Sequence, residues 1–233
     1  MPLPIEPPTG KVIVITGANR GIGLAAVHEL QKRGAKVVAG VREPHKMPPI
    51  SGVTVLKLDA RNAESCWTFV AKAEGEHGRI DGLINNAGIL LDHKTPVLDL
   101  SEDDLKRVLE VNLIAPIRLC QLVTAGMLSR GYGRIVNVSS GLGAITDMGG
   151  VYPSYRMSKL ALNGFTRILA AELGQKNNVK VNSLDPGWVK TGMGGADATR
   201  EPSEPAREIA DLVSISGDGP SGGFFYQGEP REW

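Results

Sequence analysis

Residues 11–33, KVIVITGANRGIGLAAVHELQKR, decide the fold. The first six are apolar and β-branched, the composition of a short strand covered on both faces. From Gly21 onward the apolar residues recur at helical spacing, and Gly17, Gly21 and Gly23 fill the turn between the two elements. In such a strand-turn-helix unit the glycines let backbone approach a pyrophosphate, and the free N–H groups at the helix start attract its charge. A tight connection without a ligand would use glycine too. The spacing GxxxGxG, at the head of a chain that continues strand-helix-strand, favours dinucleotide binding.

The pattern repeats along the chain. Residues 35–41 and 53–58 read as strands, 63–77 as a helix, and 79–85 as a fourth strand. Ser101, followed by acidic residues, caps a long helix running to about Ser129, with Pro116 a kink. A fifth strand covers 134–139, a helix 153–174, a sixth strand 179–184, a short helix 205–214 and a seventh strand 222–226. Alternating strands and helices imply parallel pairing through right-handed crossovers. The expected fold is α/β: a single-domain, Rossmann-type, doubly wound parallel sheet of about seven strands, with helices on both faces. No linker, repeat or charge block divides residues 1–233, which agrees with one domain at this length. A loop at about residues 190–205, rich in Gly, Pro and small polar residues, reads as a mobile substrate loop.

Composition excludes several functions. With 26 Lys+Arg against 25 Asp+Glu there is no basic field to hold nucleic acid. Two cysteines, Cys66 and Cys120, without CxxC spacing fit a reduced compartment, and four isolated histidines form no metal-ligand motif. No basic-plus-apolar leader opens the chain and no run approaches a membrane span, so a cytoplasmic protein is expected, with no membrane partner.

Tyr155 and Lys159 are four apart in a helical segment and so lie on one face. An ammonium there favours tyrosinate, drawing the phenol from about 10 toward neutrality. Tyr155 can then protonate a carbonyl oxygen or deprotonate an alcohol. Ser139 and Ser140 end the fifth strand with side chains on opposite faces, so only one meets a substrate, and periodicity does not choose.

These residues resemble the short-chain dehydrogenase/reductase family, whose TGxxxGxG stands at residues 16–23. Asn85-Asn86-Ala87-Gly88, Asn112, Ser139-Ser140, Tyr155-xxx-Lys159 and Pro186-Gly187 follow in the family's order over essentially the whole chain. The segment from Pro186 to Gly195 and the terminal residues 228–233 are similar to the C-signal and sniffer-type carbonyl reductase branch. The resemblance implies a catalytic set of Asn112, Ser140, Tyr155 and Lys159, with Ser140 bonded to the carbonyl oxygen and Asn112 holding a water against the lysine. It implies a cofactor site of Gly17, Asn19, Arg20, Gly21, Ile22, Gly23, Arg42, Asp59, Ala60, Asn86, Ala87, Gly88, Tyr155, Lys159, Pro186, Gly187, Val189 and Thr191. Asp59 stands where the family meets the adenine amino group, though it also suits a turn before Arg61-Asn62. Ser140, Tyr152 and Tyr155 would face the substrate, in a pocket of residues 142–152 and the loop after Thr191. Asp185 departs from many relatives and carries no assigned role.

The cofactor's identity is read from charge. A carboxylate at the end of the second strand would bond a free ribose 2′-OH. Here that strand ends apolar and Arg42 comes next, with Arg20 close by in the turn, which favours NADP(H) while leaving NAD(H) open; Glu43 weighs the other way. The expected function is NADPH-dependent hydride transfer to a ketone or aldehyde, reversible as alcohol oxidation. A catalytically weak nucleotide-binding regulator and an enoyl reductase, suggested by the Tyr152 to Lys159 spacing, are the alternatives. The short stretch between Ser140 and Tyr155 lacks the helical insertion of some monomeric relatives, so a homodimer or homotetramer is expected.

Overall fold

The computed structural model describes residues 3–174 and 177–233; Met1 and Pro2 of the N-terminal segment, and Gln175 and Lys176, lie outside them. Strand β1 (Val12–Thr16) is buried along its length because both faces of the sheet are covered. Its alternation sorts the core into two layers. Ile13 and Ile15 pack with Ala26, Val27 and Leu30 of α1 (Gly21–Lys32) and with Ile209 and Ala210 of α6 (Ser203–Leu212). Val12 and Val14 face Phe69 of α2 (Ala63–His77), Val123 of α4 (Ala115–Ser129) and Leu173 of α5 (Pro153–Leu173).

The remaining strands are β2 (Lys36–Val41), β3 (Val53–Lys57), β4 (Gly82–Asn85), β5 (Gly133–Val138), β6 (Val179–Leu184), β7 (Phe224–Tyr226) and β8 (Glu229–Pro230). Their order is β3-β2-β1-β4-β5-β6-β7-β8, parallel throughout except for the last pair. The order reverses between β1 and β4, and the crevice outside the carboxyl ends there is where ligands bind in such sheets.

Two local expectations are refined. There are eight strands rather than seven, because Gln227 and Gly228 both take positive φ, 52° and 81°, as in a two-residue hairpin that returns the chain as β8. The long helix is interrupted: α3 (Glu102–Leu109) passes into a π-helical turn at Glu110–Ile114 before α4, and Pro116 sits in the first turn of α4. Proline has no N–H for the carbonyl four residues back, so the disruption falls in the turn before it, around Asn112. By length and composition the run Glu102–Ser129 could pass for a membrane span, but Val108, Leu119, Val123 and Met127 are core residues.

The start of α5 is fixed from two sides. Pro153 occupies its first position and Tyr152, in the left-handed region at φ 55°, is its N-cap. Buried Asp92 accepts a hydrogen bond from the Ser154 N–H at 2.6 Å, satisfying a helix-end donor from a distant segment.

Candidate functional site

One cleft of about 1410 Å³ opens at the carboxyl ends of the strands. Of the residues singled out from sequence it is lined by Gly17, Asn19, Arg20, Gly21, Ile22, Gly23, Arg42, Asp59, Ala60, Asn86, Ala87, Gly88, Ser140, Tyr152, Tyr155, Lys159, Pro186, Gly187, Val189 and Thr191. Asn112 alone is set behind the wall.

The glycine turn is closely braced. Asn86 donates from its amide to the carbonyls of Thr16 and Gly17, at 2.9 and 3.2 Å, and Thr16 Oγ1 accepts the N–H groups of Asn86 and Ala87. A Cβ at Gly23 would lie 2.3 Å from the Gly17 oxygen and 2.6 Å from Asn86 Nδ2, so helix and turn meet at a distance only glycine permits. Thr191 Cγ2 rests over Gly21, placing the loop after β6 across the turn. That loop is closed by the Val189–Arg200 bridge and by the Trp188 indole N–H donating to the Gly194 carbonyl at 2.7 Å.

At the far end of the turn, Arg20 and Arg42 form no ion pair among the described residues. Glu43, which weighed against a phosphate, is taken by Lys46 at 2.8 Å. Asp59 is held by Arg61 through two side-chain contacts of 3.1 and 2.8 Å, which lower its pKa. This is the turn-forming use of Asp59, and its carboxylate is largely committed there.

Ser140, Tyr155 and Lys159 meet in the opposite wall. Lys159 is buried, donates to the Val138 carbonyl at 2.8 Å, and its Nζ lies 5.6 Å from the centre of the Tyr155 ring. Ser139 turns away and donates to the Lys159 carbonyl, tying β5 to α5. Ser140 caps the short turn at Gly141–Gly143, accepting the Leu142 N–H at 3.1 Å. The expected downward pull on Tyr155 is reversed: burial pushes the phenol up to about 12, Ser140 opposes the rise, and the charge of Asp185 adds to it. Burial likewise lowers Lys159 to about 8. At neutral pH the site therefore holds a protonated phenol beside an ammonium.

Asn112 is fully buried. Its side chain accepts from the Ile89 N–H at 2.8 Å and donates to the Ile89 carbonyl at 2.9 Å and to Ser158 Oγ at 3.1 Å. It clamps the segment after β4 to α5. Asn112→Ala should cost about 2 to 4 kcal/mol of stability in chemical unfolding, because it strands buried backbone groups; a loss below about 0.5 kcal/mol would contradict the clamp.

Residues 11–202 match the family model described as short chain dehydrogenase. The chain belongs to the short-chain dehydrogenase family. FabG of Vibrio cholerae, a 3-oxoacyl-(acyl-carrier-protein) reductase, is 34% identical over 190 residues, spanning 79% of this chain and 75% of the relative. The carbonyl reductase Sniffer of D. melanogaster superposes with a TM-score of 0.88 at 28% identity, over 97% of this chain and all (100%) of the other. An NADPH-bound carbonyl reductase from chicken fatty liver gives 0.84 at 27% identity, with coverage of 97% and 100%. This short-chain dehydrogenase is thus an NAD(P)-dependent oxidoreductase with carbonyl-reductase-like relatives.

Arg61, His93 and Arg231 line the dehydrogenase cleft although the sequence reading gave them no role there. Arg61 pairs with Asp59, His93 stacks edge-on against Tyr152 at 5.4 Å, and Trp188 and Met193 from the segment after β6 line the same cleft. Arg231 reaches the cleft from β8. A Gln-Gly pair before the last residues could have signalled the hairpin that brings it there.

Proposed function

We propose that this short-chain dehydrogenase reduces a ketone or aldehyde, reversibly, with NADPH preferred over NADH. The convergence of a protonated Tyr155, Ser140 and Lys159 in one buried wall carries this reading. Reductase relatives, one described as NADPH-bound, support it. The cradle fits the cofactor, since the Gly17–Gly23 approach leaves no room for a side chain under a pyrophosphate and Arg20 and Arg42 stand ready for a 2′-phosphate. Pro186, Gly187, Val189 and Thr191 would cover it from the other side. When bound, the reduced nicotinamide supplies the hydride to the carbonyl carbon.

The protein's own residues handle the other charge. Ser140 Oγ donates to the carbonyl oxygen and polarises it. The Tyr155 O–H gives its proton to that oxygen, and the bond to the phenol oxygen breaks as the alcohol forms. Lys159, charged below about 8, stabilises the phenolate left behind. Tyr152, at the N-cap, shapes the substrate end with the loop at about residues 190–205.

The cofactor reading is tested by dissociation constants. NADPH should bind at least about tenfold more tightly than NADH, a difference of about 1.4 kcal/mol, and Arg42→Asp should erase or reverse the preference. Equal affinities in the parent protein would overturn it. We also propose a cytoplasmic homodimer or homotetramer in which Met157 and Ile168, exposed on α5, lie between copies. Sedimentation showing only a single-chain species at micromolar concentration would contradict the assembly.

A further inference from the structure

Arg200 stands where the loop after β6 returns toward α6, and it is almost wholly buried. The segment it closes, residues 187–199, contains Gly192, Gly194 and Gly195 and crosses the glycine turn at Thr191. A free chain so rich in glycine is costly to order. Here its two ends are joined. The Arg200 N–H donates to the Trp188 carbonyl at 3.0 Å, and the Arg200 carbonyl accepts the Lys190 N–H at 2.9 Å. The side chain adds a second set of ties. Its guanidinium donates to the Pro186 carbonyl at 2.8 Å, to Glu204 at 3.4 Å and to Glu208. The other oxygen of Glu208 accepts the Gln227 N–H of the β7–β8 hairpin at 2.9 Å, and the guanidinium lies 5.5 Å from the centre of the Tyr226 ring. The stem passes so close to the start of the loop that a Cβ on Gly187 would lie 2.9 Å from Arg200 Cδ. The Gly187 N–H is held in turn by Asp185 at 2.9 Å, itself paired with Arg231 at 2.6 Å.

We infer that Arg200 is a positioning residue: it latches this loop in its closed form ahead of cofactor binding, so that Pro186, Gly187, Val189 and Thr191 meet an arriving dinucleotide already in place. The inference rests on the reading of those four residues as the cover of the cofactor. Every tie named above joins two groups of the protein itself, so none needs the cofactor to form. An exposed ion pair would contribute little. This guanidinium is buried and charge-assisted on two sides, and it links the start of the loop, α6 and the hairpin through one side chain. None of its bonds goes to Ser140, Tyr155 or Lys159, so its action falls on binding rather than on proton transfer. Ordering that is complete on folding is not charged against affinity when the ligand binds.

Hydrogen exchange and NADPH binding, measured on the same variants, test the latch. Arg200→Met keeps an apolar stem beside Gly187 and removes the guanidinium. Combining it with Glu208→Gln also removes the carboxylate charge that the first change strands, and keeps an acceptor for the Gln227 N–H. In cofactor-free protein the amides of Lys190 and Arg200 should exchange at least about tenfold faster in both the single and the double variant than in the parent, with β1 and α1 unchanged. The NADPH dissociation constant should rise about tenfold in both, while kcat at saturating NADPH stays within about twofold of the parent. A merely structural residue gives another pattern, in which the double variant, relieved of the stranded charge, regains parental exchange and affinity. That result overturns the inference, as do parental amides that gain protection only when NADPH binds, or variants whose affinity does not change. A parent protein that binds no dinucleotide would instead overturn the reading of the cleft, and exchange in the cofactor-free protein would still decide whether Arg200 holds the loop closed.

Discussion

Tyr155→Phe should lower carbonyl reduction by about a thousandfold or more with NADPH binding nearly retained, a transition-state loss of about 4 kcal/mol. The substitution removes one oxygen from a buried side chain that holds the proton at neutral pH, and it leaves the cradle untouched. Tyr152→Phe is the matched control. Both tyrosines line the cleft, but Tyr152 precedes Pro153 and sits against His93, whereas Tyr155 lies one helical turn from Lys159. Its loss should change substrate preference by about tenfold or less, the size of a pocket contact rather than of a proton transfer. If Tyr152→Phe abolishes turnover and Tyr155→Phe does not, the roles are reversed and enoyl reduction becomes the better reading.

Gly23→Ala should weaken NADPH binding by roughly a hundredfold, about 2.7 kcal/mol. The added methyl would press on the Gly17 carbonyl and the Asn86 amide, the two groups that set the shape of the turn. The carbonyl is backbone and the amide is held by its bonds to the Thr16 and Gly17 carbonyls, so the turn itself must move, at a cost of about 1 to 3 kcal/mol for overpacking. Gly75→Ala, on the exposed face of α2 with nothing within 4 Å, should leave binding unchanged and stabilise the helix slightly. Titration calorimetry on both variants measures the difference; equal affinities would show that the close approach does not shape the cradle.

What could be read from the sequence was local. The glycine turn, the strand before it and the four-residue step from Tyr155 to Lys159 are short-range patterns, and each appears where spacing placed it. The two core layers arise from the same alternation in β1. What escaped depends on segments far apart in the chain. Arg231 meets Asp185 only because a hairpin folds the end of the chain back, and Asn112 clamps Ile89 only because the helix opens into a π turn there. The direction of the Tyr155 shift escaped as well. Spacing revealed a neighbouring lysine but not the depth at which the phenol is buried, which raises its pKa.

The central claim is that this dehydrogenase passes a hydride to a carbonyl carbon while Tyr155 supplies the proton. It is tested most directly by following NADPH oxidation across a panel of ketones and aldehydes, with deuterium at C4 of the nicotinamide and the alcohol product examined by mass spectrometry. The account predicts carbonyl-dependent oxidation of NADPH, deuterium on the carbinol carbon, and loss of both in Tyr155→Phe. NADPH that binds but is consumed with no carbonyl in the panel, or turnover that survives the loss of Tyr155, would contradict it.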